Sequence, residues 1–272
     1  MVTLAGGTPI ILPTKKEDGY LIDPGALRRA LEQNQAKVKL LILCNPSNPT
    51  GGVHDASRLR QIAQVLSDFP KVAVLADEIY ERLVYDDLQH VCFASIPNML
   101  ERTITINGMS KAYAMTGYRL GYLCAPRPIA QACATIQSQI TSCASSISQA
   151  AGVAALTMVS EEEMQENQRI MQKKRDYVIS QLENTIQGIT LNVKPNGAFY
   201  LLPDVSTFYN GDDTQLCIEL LKKQKLALVP GSSFGAPGTV RISYAASMEE
   251  LELAMNKLRQ FSNDYHKEHQ AH

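Results

Sequence analysis

Through its first half the chain repeats one pattern: a short continuous apolar run, a polar or glycine-bearing break, then a return to helical or apolar periodicity. Val38–Leu43 is the first run, and its unbroken apolar character predicts a strand buried on both faces. Asn45-Pro-Ser-Asn-Pro-Thr-Gly51 ends it, and a helix is expected from about Asp55, with Leu59, Ile62, Ala63 and Leu66 on one face. Val72–Leu75 is the next run and stops at Ala76-Asp77-Glu78. Thr103–Ile106 leads into Asn107-Gly-Met-Ser-Lys111, and Leu120–Leu123 closes this half. Strands alternating with helices imply an α/β protein. In open α/β sheets ligands bind beyond the carboxyl ends of the strands. The clusters Asn45–Gly51, Asp77–Tyr80 and Ser110–Lys111 all come just after predicted strand ends. That placement brings Asn48, Asp77, Tyr80 and Lys111 to one edge.

Beyond Pro128 the texture changes. Long helical stretches are expected over Pro128–Val159 and Glu161–Leu182, then strand-like segments at Leu191–Val193 and Phe199–Leu202. Thr214–Gln224 reads as a helix, Leu226–Val229 and Val240–Ser243 as strands, and Met248–Phe261 as a closing helix. A domain change is expected near Ser145–Ala150, giving units of residues 1–145 and 146–272. No internal repeat or low-complexity segment stands out.

A chain of 272 residues, 45% apolar and 19% charged, can bury a sizeable core. Its net charge of −1 and pI near 6.5 favour neither a nucleic acid nor an anionic membrane as partner. No apolar run approaches the ~20 residues of a membrane span. The segment Met1–Leu12 matches neither a signal nor a transit peptide. The six cysteines, Cys44, Cys92, Cys124, Cys133, Cys143 and Cys217, lack C-x-x-C spacing and read as free, mostly buried thiols. A zinc site is not expected, and His266, His269 and His272 are read as part of a frayed tail over Asp264–His272.

Taken singly, the polar residues at the strand ends are ambiguous. A lysine before a helix is usually a surface lysine. Asp at a strand end often caps the next helix. Asn-Pro pairs usually make turns, and an isolated arginine is usually a surface ion pair. Their order changes the reading. Asn45-Pro-Ser-Asn-Pro-Thr-Gly51, Asp77-Glu-Ile-Tyr80, Ser110-Lys-Ala-Tyr-Ala-Met-Thr-Gly-Tyr-Arg-Leu-Gly121 and Val240-Arg-Ile-Ser-Tyr-Ala245 resemble, in order and spacing, the successive motifs of fold-type I aminotransferases of class I/II. These enzymes depend on pyridoxal 5'-phosphate (PLP). The texture is closest to the aspartate aminotransferase subgroup that includes bifunctional aspartate/prephenate aminotransferases of plants and bacteria. Ala144-Ser-Ser-Ile-Ser-Gln149 and Pro195-Asn-Gly-Ala-Phe-Tyr200 agree with it, so the likeness covers nearly the whole chain.

The resemblance implies a large domain with a mostly parallel sheet flanked by helices, a smaller C-terminal α+β domain, and a homodimer. It implies that Lys111 carries the cofactor and serves as general base. Asp77 then faces the pyridine nitrogen and keeps it protonated. Asn48 and Tyr80 bond the phenolic oxygen, and Asn48–Pro49 is expected to be cis. Arg119, eight residues after Lys111, suits the phosphate, and Arg241 suits the substrate α-carboxylate as a bidentate partner. Ser110 is a further phosphate candidate, although many relatives place Ser or Thr where this chain has Gly108. The implied substrates are aspartate, glutamate and 2-oxo acids (oxaloacetate, 2-oxoglutarate, prephenate), and the implied compartment is the cytoplasm or the plastid stroma. A related PLP lyase, or a non-catalytic module retaining the motifs, stays open at this point. Family members begin well upstream of Met1, with a phosphate cup, a ring-stacking aromatic and a tyrosine for the partner subunit. The expectation is therefore a truncated or internal fragment that exposes an apolar patch.

Overall fold

The computed structural model describes residues 1–34 and 37–270. Its first sheet has the order β1 (Leu40–Cys44), β2 (Ala73–Asp77), β3 (Thr103–Gly108), β4 (Gly121–Cys124). The first three strands run parallel and β4 is antiparallel to β3. Two helices cover one face: α1 (Pro24–Gln33) and α2 (Ala56–Ser67). Both start where local chemistry directs. Asp23 accepts the Gly25 and Ala26 N–H groups ahead of α1, with Pro24 in the first turn, and Asp55 accepts the Arg58 N–H ahead of α2. Leu27, Leu31, Leu59, Ile62 and Leu66 of the helices meet Leu43, Val74 and Ala76 of the strands to form one core.

The opposite sheet face is different. The register Ile42↔Leu75↔Ile104 and Cys44↔Asp77↔Ile106↔Leu123 aligns a second apolar set on it. Leu40 and Ile42 remain 39% and 44% exposed. The expectation that the first strand is buried on both faces is thus corrected. Continuity of apolar residues reports what a strand could bury, and β1 is an edge strand with only one covered face.

Two helices precede the second core: α3 (Arg127–Ile140) and α4 (Ser146–Met158). They replace the single stretch expected over Pro128–Val159. Ser142, at φ 60°, turns the chain between them, a conformation a continuous helix cannot contain. Next, α5 (Glu161–Thr185) opens with a capping box between Ser160 and Glu163 and three glutamates in its first turn. It packs with α6 (Asp213–Gln224) and α7 (Met248–Gln270) on a small antiparallel sheet of β5 (Tyr200–Leu201), β7 (Val240–Ser243) and β6 (Val229–Pro230). Val178, Leu182, Leu201, Leu220, Ile242 and Leu258 are central to this core, and Tyr85 from the first half enters it.

Several expected boundaries shift. Leu191–Val193 is not a strand; only Thr190 makes an isolated bridge, to Asp204. The strand expected over Leu226–Val229 contracts to Val229–Pro230. The tail does not fray at Asp264, because α7 continues to Gln270 and buries Tyr265 against Phe208, with His269 stacked on it at 4.0 Å between ring centroids. His272 lies outside the described residues. The cysteines are free, but only Cys217 is buried, while Cys124 and Cys143 are exposed. No helix among the described residues is long and apolar enough to cross a membrane.

Candidate active site

The loop after β1 is braced before it reaches Asn48. Asn45 is buried, accepts the His54 N–H at 2.8 Å and donates Nδ2 to the His54 carbonyl at 3.3 Å. Ser47 N–H donates to Gly52 O, and Gly51 N–H to Ser47 O, both at 2.9 Å. The Asn45–Pro46 and Asn48–Pro49 peptides are both cis. Gly51 is at φ +67°, and its carbonyl accepts both the Asn196 and Gly197 N–H groups. A β-carbon there would lie 2.3 Å from Pro195 Cβ, so only glycine admits this close approach.

Through this contact the loop meets the segment Asn196–Tyr200, and from it a continuous set of side chains extends. Asn48 Oδ1 accepts a hydrogen bond from Arg241 Nη1 at 3.1 Å. The Arg241 guanidinium lies between two rings, 4.6 Å from the Tyr200 centroid and 4.9 Å from that of Phe234. Tyr200 and Tyr80 join their hydroxyls at 3.0 Å. Lys111 Nζ sits 5.8 Å from the Tyr80 centroid and 5.4 Å from that of Phe199. Among the described residues neither Lys111 nor Arg241 forms an ion pair. Both cations are thus left without a carboxylate partner.

Asp77 ends β2 on the half-exposed sheet face, beside Cys44 and Ile106. It caps no helix; its Oδ1 accepts the Ile79 N–H at 3.3 Å within a turn. Burial pushes its carboxyl above the usual range, and the Glu78 charge adds to this, against the lowering effect of the Ile79 bond. Burial also raises the Tyr80 phenol far above its ordinary value, aided by Tyr200, and pushes the Cys44 thiol up to about 11, aided by Asp77. A cation set between these groups would reverse the strain on Asp77.

Ser110 and Arg119 stand apart from this set. Ser110 is half-buried at the end of β3, whereas Arg119 is exposed, at φ 53°, and donates Nη1 to the Thr116 carbonyl at 2.9 Å. Gly108 has a packing reason: a β-carbon there would meet Gly121 Cα and Leu120 O at 2.9 Å. The β3–β4 pair therefore excludes a side chain at this position. Residue types alone left out Tyr200, Phe199 and Phe234. Only the motif Pro195–Tyr200 drew attention to the first two, and nothing in the local sequence pointed to Phe234.

The chain is 46% identical over 270 residues to an aspartate aminotransferase of Pinus pinaster, covering 95% of this chain and 54% of that protein. It is 43% identical to a bifunctional aspartate aminotransferase and glutamate/aspartate-prephenate aminotransferase of Petunia hybrida, covering 95% and 55%. Among solved structures, the aspartate aminotransferase from Rhizobium meliloti superposes with a TM-score of 0.88 at 37% identity, over 97% of this chain and 67% of that one. The chain spans about half the length of these two plant relatives. Residues 1–258 match the family model for aminotransferase class I and II, and with the mostly parallel sheet and this degree of identity the chain belongs to that family.

Proposed function

We propose that this chain carries the reacting half of a PLP-dependent transaminase that moves an amino group between aspartate or glutamate and a 2-oxo acid such as oxaloacetate, 2-oxoglutarate or prephenate. The observation that carries the reading is the pair of unpaired cations, Lys111 and Arg241, joined through Tyr80, Tyr200 and Asn48. The donor set suits the cofactor: an amine for its aldehyde, a strained carboxylate at Asp77 for its pyridinium, and hydroxyl and amide groups at Tyr80 and Asn48 for its phenolic oxygen. When bound, PLP would supply an aldehyde for the substrate amino group and an electron sink for the substrate α-carbon.

The protein's share is position and charge. Lys111 would hold the cofactor, and its amine would serve as the base that takes the proton from the substrate α-carbon. Arg241, oriented by Asn48 and flattened between Tyr200 and Phe234, binds the substrate α-carboxylate through its fork of donors. Asp77 would keep the pyridine nitrogen protonated, and that positive charge would offset the cost of its own burial. Tyr200 fixes the Tyr80 hydroxyl. Ser110 and Arg119 are assigned to the phosphate, Arg119 by turning away from the Thr116 carbonyl. Residues 1–145 then form the cofactor side and residues 146–272 the carboxylate side, in a homodimer of the complete enzyme. The cytoplasm or the plastid stroma suits this chemistry.

The test is to add PLP to the purified chain, record the visible spectrum, reduce with borohydride and map the modified peptide. A visible band and an adduct on Lys111, both absent in Lys111→Ala, are expected. In a separate, unreduced sample, aspartate without an acceptor should release one equivalent of oxaloacetate per bound cofactor. A folded chain with no adduct, or an adduct on another lysine, would overturn the assignment.

A further inference from the structure

Next to Asp77 the chain gathers three donors that transamination leaves idle. Glu78 comes directly after β2 and its side chain is 3% exposed. Its Oε1 accepts the Phe93 N–H at 2.8 Å, which fixes the carboxylate and turns Oε2 toward His90 Nε2 at 3.3 Å. The His90 side chain is 10% exposed, and neither ring nitrogen has a hydrogen-bond partner. Glu81 stands three residues beyond Glu78 and brings a second carboxylate. One donor atom from each of the three lies within 4.8 Å of the other two. Among the described residues no lysine or arginine pairs with Glu78 or Glu81.

Two physical points give this cluster meaning. A buried carboxylate needs a compensating charge, and beside Glu78 the structure places no lysine or arginine, only the Phe93 N–H, the Cys92 thiol and an imidazole whose nitrogens make no hydrogen bond. Tetrahedral zinc, with bonds of about 2.0–2.1 Å, requires donor atoms about 3.3–3.4 Å apart. The Glu78–His90 separation already has that length. We propose that Glu78, Glu81 and His90 bind one divalent transition cation of the zinc class, with a fourth position open to water. Two carboxylates and a neutral imidazole match the charge of such an ion. Glu81, the half-exposed member, forms the entry side and needs to close on the ion by no more than about 1.4 Å, the difference between the 4.8 Å bound on the donor separations and the tetrahedral spacing. The site shares no residue with the Lys111 chemistry, and its occupancy does not depend on PLP. Its occupant would set positive charge beside Asp77, where Glu78 now adds negative charge.

The probe is Zn²⁺ itself, titrated into the purified chain in competition with a chromophoric chelator. One ion per chain is expected. Glu81→Gln and His90→Gln should each weaken binding at least about tenfold, with unchanged far-UV circular dichroism. Zinc-edge X-ray absorption of the unaltered chain provides the second measurement, independent of any variant. A shell of oxygen and nitrogen containing one imidazole is expected. No bound zinc, equal affinity in folded variants, or sulfur in the shell would each overturn the proposal.

Discussion

His54 ties the loop that carries Asn48 to the rest of the first half. It is buried, its backbone brackets Asn45, and its Nε2 accepts the Ile22 N–H at 3.0 Å. Burial, with the Arg58 charge adding to it, holds its pKa down to about 4 from an ordinary 6.5. Above pH 6.5 neither folded nor unfolded chain is protonated there, and the stabilising contribution is complete. As pH falls from 6.5 towards 4 the unfolded chain binds a proton that the folded chain refuses. Stability is lost across that window, by something on the order of 3 kcal/mol. The urea midpoint of the chain should therefore fall between pH 7 and about pH 4.5. His54→Gln, whose amide oxygen can accept the same bond, should flatten that slope. Equal slopes for the two proteins would show that His54 is not the titrating group. Nothing at this scale was legible for His54 itself, since one histidine after a turn carries no pattern. The functional candidates were legible because their spacing recurs in a known family.

At the scale of elements, one connection between the two cores is an ion cluster centred on the buried Arg175. Arg175 of α5 is fully buried and makes a bidentate bond to Asp86 at 2.6 and 2.8 Å. It also donates to the Pro195 carbonyl at 2.9 Å, while Asp86 accepts Asn196 Nδ2 at 2.9 Å and Lys194 Nζ at 3.3 Å. Bonding to Arg175 first, and then its charge and Lys194, hold the Asp86 carboxyl down to about 2. Its contribution is present above the ordinary value of 3.8 and is lost as pH falls through about 2, below the His54 window. Asp86→Ala would leave a buried guanidinium with the Pro195 carbonyl and, as its one remaining carboxylate, the half-exposed Asp176. It should destabilise the chain by about 3 kcal/mol or more in urea denaturation, and a loss under about 1 kcal/mol would show that solvent or Asp176 replaces the carboxylate. The variant should also loosen Lys194–Tyr200, and with it the Tyr80–Tyr200 contact. Helix α2 and strand β7 were legible from periodicity and turn signals, and β7 was expected at its observed bounds, Val240–Ser243. The break between α3 and α4 was not, because Thr141–Ser145 contains neither glycine nor proline.

At the scale of the whole molecule, the sheet carries one covered and one half-covered face. Leu40 and Ile42 on the strand, with Ile136, Ile140, Ile147, Val153, Leu156 and Met158 on α3 and α4, are exposed. Apolar surface of this extent drives association in water. The isolated chain should enhance the fluorescence of an apolar dye such as ANS. Its sedimentation coefficient should rise with concentration, and replacing Ile42 and Leu156 by glutamate should reduce both effects. A concentration-independent monomer with no dye response would show that the faces are covered in solution.

The amino-acid order by itself determined the alternation of strands and helices, the placement of polar clusters beyond strand ends, and the family to which Lys111, Asp77, Asn48 and Arg241 point. Each of these rests on local periodicity or on short motifs. Only the tertiary structure decided which aromatic rings flank Arg241, why Gly108 must lack a side chain, and how Arg175 joins segments more than a hundred residues apart in partnership, from Asp86 to Asn196. It also decided which strand faces stay open. Those features arise from contacts between residues distant in sequence. No local pattern encodes them, because their energies depend on what is brought alongside: a ring, a backbone carbonyl or a charge.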